Sequence, residues 1–161
     1  MKILLLESLD NPARGLRLAA DSAWRPDRRP LFVPEGAADI ALHTCRALRV
    51  GRLGKCISPR HAARYIDAEA IAMVRADLRG DFIIADDAIV LGPWQPTGTI
   101  PGIDIDAAAA ALAELSRGVT FKTGDILILP PADAPARHTA PATVAIDTPD
   151  GATSLISFNI R

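Results

Sequence analysis

Cysteine is scarce in this chain, with only Cys45 and Cys56 present. Two thiols cannot build the disulfide framework on which small secreted domains depend. No apolar run reaches the ~18 residues of a membrane helix. Met1 to Leu6 holds five apolar residues and one lysine, which is too short for a secretory core and reads instead as a first strand. The cytoplasm is therefore the expected compartment. A net charge of −1 leaves no global attraction toward nucleic acid or a membrane surface. Local basic clusters at Arg25, Arg28 and Arg29, and at Arg46, Arg49, Arg52 and Lys55, are expected on solvated faces and loops. No internal repeat and no linker divides the chain. Its 161 residues, 49% hydrophobic against 23% charged, suit one globular domain spanning 1–161.

The most informative stretch runs from Ile40 to Tyr65. Ile40, Leu42, Thr44, Arg46, Leu48 and Val50 share one parity, and His43, Cys45, Ala47 and Arg49 share the other. Period two over that length predicts a long strand with two unlike faces. Gly51 to Gly54 turns the chain, and Ser58-Pro59 is expected to cap a short helix through Tyr65. His43 and Cys45, two apart, project from one face, where a ligand or catalytic pair could sit.

Elsewhere, Lys2–Leu6 and Leu31–Val33 read as strands, Ser8–Arg14 and Arg25–Pro30 as polar turns, and Leu16–Trp24 is ambiguous. Asp67 to Arg79 has helix propensity, although its apolar run Ala70–Val74 equally suits a buried strand. Gly92–Gly102 and the proline- and alanine-rich Pro130–Pro141 read as loops. Asp104 or Asp106 is expected to cap a helix to Arg117, stopped by Gly118. Val119–Leu129 reads as strand, turn, strand about Thr123-Gly124. Ala142–Asp147 and Thr153–Ile160 flank Thr148-Pro149-Asp150-Gly151, a hairpin signal.

Three segments, FVPEGAADIALHTCRALRVGRLGKCISPRHAARYID, DDAIVLGPW and VTFKTGDILIL, with the terminal SFNIR and Asp21-Ser22-Ala23 followed by Arg29-Pro30 to Pro34, resemble in order and spacing the fumarylacetoacetate hydrolase family. This is the C-terminal-domain fold shared by fumarylpyruvate hydrolases, oxaloacetate decarboxylases and 2-hydroxyhepta-2,4-diene-1,7-dioate isomerases. The resemblance implies a mostly β protein of α+β character. Its mixed sheet would roll into a flattened barrel with a few short helices and a homodimeric assembly. It also favours strand over helix for Ala68 to Arg75.

The family holds Mg²⁺ or Mn²⁺ with a Glu-x-Glu pair and a later Asp, because a hard cation takes carboxylate oxygens and polarises a keto acid. Ungapped threading from Arg52-Leu53-Gly54 places those ligands on His43, Cys45 and Val74, none of them a carboxylate. A slip that puts Asp39 there breaks the match on both sides. The substrate-pocket lysines fall on Ala19 and Ile83, and an arginine on Leu78. The Thr-Gly-Thr-Pro loop reads Leu129-Pro130-Pro131-Ala132, and proline has no N–H to offer. The N-terminal lid is shortened to Ser8–Arg17 and has no histidine.

The resemblance therefore implies a degenerate member without its metal carboxylates. Such a protein would be a binding or structural homologue with no cofactor, meeting a small carboxylate ligand or an active paralogue. The competing reading is a hydrolase, isomerase or decarboxylase of a small keto or diketo acid, with a site rebuilt around His43, Cys45 and Asp86. Zn²⁺ on His43 and Cys45 needs further ligands among His61, His138, Cys56 or Asp77. A His43–Cys45 nucleophile pair is disfavoured because alternate side chains on a strand run parallel. Asp86 and Asp87 are an acid pair or solvated loop residues, Asp125 is expected to stabilise its turn, and Trp24 and Trp94 are expected to pack or face a dimer partner. Nucleic-acid binding through Arg46, Arg49 and Arg52 is the weakest class.

Overall fold

The computed structural model describes residues 1–78 and 80–161. Among them the strands are β1 (Ile3–Leu5), β2 (Arg17–Ala19), β3 (Trp24–Pro26), β4 (Ile40–Val50), β5 (Ile66–Arg75), β6 (Phe82–Ile83), β7 (Ile89–Leu91), β8 (Ile126–Ile128), β9 (Ala136–His138), β10 (Ala142–Asp147) and β11 (Ser154–Ile160). One α-helix, α1 (Ile105–Leu115), and two 3₁₀ turns at Asp21–Ala23 and Pro59–Tyr65 complete the described elements. The first nine strands make a mixed sheet in the order β3-β7-β5-β4-β8-β1-β2-β6, with β9 beside the start of β4; β10 and β11 form a separate hairpin. The β1–β8, β2–β6 and β3–β7 pairs are parallel and the other pairs antiparallel.

Alternation along each strand gives the sheet two apolar faces. Ile3, Leu5, Cys45, Ala47, Ala70, Ala72, Val74, Ile89, Leu91, Ile126 and Ile128 pack together on the inner, concave face. The intervening residues point outward. Leu4, Leu48, Val50 and Leu127 meet α1 through Ala108 and Leu112. Ile40, Leu42, Ile71, Met73 and Val90 meet the hairpin through Val144, Ile156 and Phe158. Ala47, Ala70 and Ala72 keep the concave face thin where β4 and β5 pair, which lets the sheet curl. The sheet ends contribute Ala19 and Ile83 on one side and Trp24 and Ile89 on the other to one cluster, so the curl is a half-barrel. Gly92 follows β7 where β11 crosses, and a Cβ there would lie 1.9 Å from the Leu155 carbonyl oxygen.

Ile66–Arg75 is a strand in spite of its alanines and glutamate, because burial on both faces outweighs helix propensity. The helical reading ran on to Arg79, which lies outside the described residues. Asp104, not Asp106, caps α1, its Oδ1 accepting from the Ala107 N–H at 2.9 Å; the helix ends at Leu115, before Arg117. The segment after Pro59 forms as 3₁₀ rather than α, and the Ser58 hydroxyl makes no cap bond.

Four expectations are corrected. Val119–Leu129 keeps its turn at Thr123-Gly124 and its second strand, β8, but the first strand reduces to a bridge from Phe121 to Gly54, and β8 pairs with β1 and β4. The Pro130–Pro141 loop contains β9, whose proline-rich flanks hid a strand lying against β4. Leu31–Val33 reduces to a bridge from Leu31 to Ile160. Arg25 belongs to β3 and is 6% exposed, its Nη1 donating to the Pro30 carbonyl at 2.6 Å, so it is not a solvated loop residue. Ambiguous Leu16–Trp24 resolves into β2, a 3₁₀ turn and the start of β3.

Asp125 closes the turn between Phe121 and β8. Its carboxylate accepts from the Lys122 and Lys2 backbone N–H groups, each at 2.8 Å, and pairs with Lys2 Nζ. It therefore joins the turn to the first residues of the chain. Burial opposes ionisation of this carboxyl, but the hydrogen bonds from Lys2 and Lys122 outweigh it and hold the group below its ordinary range. The stabilisation is complete above the ordinary carboxylate range and is lost as pH falls through the depressed folded value. Asp125→Ala should cost about 3 kcal/mol, because buried donors lose their acceptor. The variant should also lose less stability in acid than the parent. Denaturant melts at several pH values check both expectations, and parallel curves for the two proteins refute them.

Candidate functional site

A cavity of about 370 Å³ opens at the end of the concave face. Its floor comes from four adjacent strands: Arg17 on β2 stands in register with Leu5 on β1, Leu5 with Ile128 on β8, and β8 lies beside β4. Across the β4–β5 ladder His43 is opposite Val74, with Cys45 two residues along β4. Arg17, His43, Cys45 and Val74 all line the cavity, with Glu7 and Pro131 at its sides and Leu5, Leu6, Ile128 and Leu129 as apolar wall. The three residues at which threading placed the family's metal ligands thus surround one space.

The polar groups here are under-used. Arg17 Nη1 donates to the Leu78 carbonyl at 3.4 Å, while its Nε is buried without a partner among the described residues. His43 Nδ1 is likewise buried and has no partner among the described residues. Burial pushes the Cys45 thiol up to about 12, in spite of the opposing charges of Arg17 and Arg46. It is therefore a protonated, apolar lining group at neutral pH, neither nucleophile nor ready thiolate ligand.

Other residues singled out from the sequence go elsewhere. Ala19 and Ile83 pair across β2 and β6 and join the concave cluster without lining the cavity. Pro130 lines a neighbouring depression with Arg46 and Asp104. Asp86 is exposed and does not line the cavity, so the structure does not assemble His43, Cys45 and Asp86 into one centre. Asp87, at φ +56°, pairs with Arg25 at 3.5 Å. Arg49 is paired with Asp67 at 2.9 Å and lies over Trp94, and Arg46 reaches the Pro101 carbonyl, so the arginine strand is no free basic stripe. A larger opening, of about 480 Å³, lies beside Asp39, Asp77 and Arg137, but its charges are already satisfied by Asp39–Arg137 and Arg75–Asp77 pairs.

Sequence reasoning missed Arg17 and Glu7. Arg17 lies two residues before Ala19, the residue assigned to the pocket, so once this segment is a strand the two share a face. That parity was the available signal.

No family model matches the chain, and no curated protein matches it. Solved structures do. Maleylpyruvate hydrolase from Sphingobium sp. SYK-6, in complex with manganese(II) ion and pyruvate, superposes with a TM-score of 0.77 at 13% identity, covering 99% of this chain and 69% of that one. 5-Carboxymethyl-2-hydroxymuconate delta-isomerase from Mycobacterium smegmatis gives 0.74 at 15% identity, covering 99% and 78%. A protein of Yersinia pestis CO92 provisionally assigned to the fumarylacetoacetate hydrolase family gives 0.74 at 14%, covering 99% and 92%. The chain is thus a curled, mixed-sheet half-barrel protein. Its fold is that of the fumarylacetoacetate hydrolase C-terminal domain.

That fold raises the question of a divalent metal, and the donor set does not fit one. Mg²⁺ and Mn²⁺ want several oxygen ligands. The cavity lining offers one carboxylate, Glu7, which is exposed. Among the described residues no group of three or more His, Cys, Asp or Glu is placed to hold a metal ion. Zn²⁺ would have to ionise Cys45 and find further ligands. Of those considered, His61, Cys56 and Asp77 are exposed, and none of them or His138 lines the cavity. Iodoacetamide at mildly alkaline pH should alkylate exposed Cys56 and spare Cys45 in the folded protein, with both modified in denaturant. Peptide mapping by mass spectrometry reads this, and Cys45 reacting as fast as Cys56 contradicts a buried, protonated thiol.

Proposed function

We propose that this chain is a fumarylacetoacetate hydrolase-fold protein without a metal-dependent catalytic centre, acting as a binding or structural homologue. The observation that carries this reading is the donor set: His43, Cys45 and Val74 surround the cavity where threading asks for three carboxylates. Removing those charges removes the electrostatic reason for a hard cation to bind. The cavity keeps an arginine and a histidine, which supports a small carboxylate as ligand. Proline at 130 and 131 supplies no main-chain donors for a reacting oxyanion.

The protein works as a cytoplasmic homodimer, alone or with an active paralogue, and engages neither nucleic acid nor membrane. Leu18 and Phe82, paired across β2 and edge strand β6, and Ile84 beyond them expose apolar surface, which supports a protein partner on that side. No described helix is long and apolar enough to cross a membrane.

Thermal-shift scans with Mg²⁺, Mn²⁺ and Zn²⁺ should show no saturable stabilisation, and acylpyruvates and oxaloacetate should not be turned over. Saturable Mg²⁺ or Mn²⁺ stabilisation overturns the reading. The triple variant His43→Glu, Cys45→Glu, Val74→Asp should gain Mn²⁺-dependent stabilisation, because it restores oxygen donors around one space. A folded triple variant indifferent to Mn²⁺ refutes the threading. Native mass spectrometry should give a dimer, weakened by Phe82→Glu.

A further inference from the structure

We propose that Arg17 and His43 form a metal-independent carboxylate clamp in the concave-face cavity, taking a small monocarboxylate with a short aliphatic body. This rests on the metal-free reading above and adds the ligand's class and the groups that hold it.

The argument starts from two nitrogens. Arg17 Nε and His43 Nδ1 are both buried, both without a partner among the described residues, and both on side chains lining the same space. A buried donor left unsatisfied is costly. Arg17 spends Nη1 on the Leu78 carbonyl, which orients the guanidinium while leaving Nε to donate. Imidazole can carry its proton on Nδ1 in either the neutral or the charged form. A carboxylate offers two acceptor oxygens and matches guanidinium geometry.

The remaining lining selects among anions. Leu5, Val74, Ile128 and Leu129 present hydrocarbon, and the Cys45 thiol is protonated and apolar in character. These walls suit an aliphatic body and cannot solvate a second charge. Glu7, exposed beside the cavity, repels a second carboxylate. Phosphate would need more donors than two side chains supply, and Pro131 adds no backbone N–H. The volume of about 370 Å³ falls toward the small end of ligand sites.

The test uses the full chain after EDTA treatment, titrated calorimetrically with sodium butyrate, sodium succinate and inorganic phosphate. Butyrate should bind saturably at one site. Arg17→Met should weaken it at least about tenfold, the loss of one charge-assisted hydrogen bond. Succinate should bind more weakly than butyrate, with Glu7→Gln narrowing the gap, and phosphate should not saturate. In wild-type protein with isotope-labelled histidine, butyrate should shift the His43 Nδ1 resonance, a readout that needs no variant to fold. No saturable butyrate heat together with an unmoved His43 resonance overturns the clamp. So does a folded Arg17→Met protein that binds butyrate like the parent. Butyrate binding that appears only after Mg²⁺ is added overturns the metal-free reading itself, which separates the two failures.

Discussion

The antiparallel ladder between β4 and β5 is the constraint on which the rest depends. Leu42 stands opposite Arg75 and Val50 opposite Ile66, so two long strands are locked along their length. Side-chain parity then decides what each face can do. One face carries alanines, a thiol and valine, small enough for the sheet to close on itself. The other carries leucines, isoleucines and a methionine, which need covering, and α1 and the β10–β11 hairpin cover them. A one-residue slip would exchange these faces and expose the larger residues to the inside of the curl. The register of this ladder is also what brings Val74 to His43, so the fold and the cavity have a common cause.

Electrostatics sets the character of that cavity. A hard-cation centre concentrates negative charge that only the ion can compensate. Here the corresponding lining is neutral or positive apart from exposed Glu7. Cys45 is held protonated by burial, and Arg17 and His43 keep unspent nitrogens. Buried carboxylates are instead used structurally. Asp125 ties the β8 turn to Lys2, and Glu69, fully buried, accepts from the Ile100 N–H at 2.6 Å and holds the loop after β7 against β5. Asp125 uses both carboxylate oxygens in this way, and Glu69 uses Oε1 while its Oε2 has no partner among the described residues.

How much was legible depended on the range of the determining interaction. The alternation from Ile40 to Val50 announced β4 because a two-faced strand writes its period into neighbouring residues. The Thr148–Gly151 turn announced its hairpin, and Asp104 or Asp106 the start of a helix, for equally local reasons. The alanine-rich β5 was ambiguous from its own residues, since burial on both faces erases the period that separates strand from helix. Strand β9 was invisible because its pairing with β4 comes from residues far along the chain. The strand expected from Val119 came down to a bridge because its partner, Gly54, lies far away in the chain.

The sequence by itself determined the long strand β4, the β10–β11 hairpin and the absence of carboxylates at 43, 45 and 74, because these are matters of residue identity and short-range period. Only the tertiary structure decided that Arg17 joins His43 over one cavity, that Asp86 stays out of it, and that burial raises the Cys45 thiol above its ordinary range. Those outcomes depend on which distant strands become neighbours and on how much water they exclude, and neither quantity is written in any local stretch of the chain.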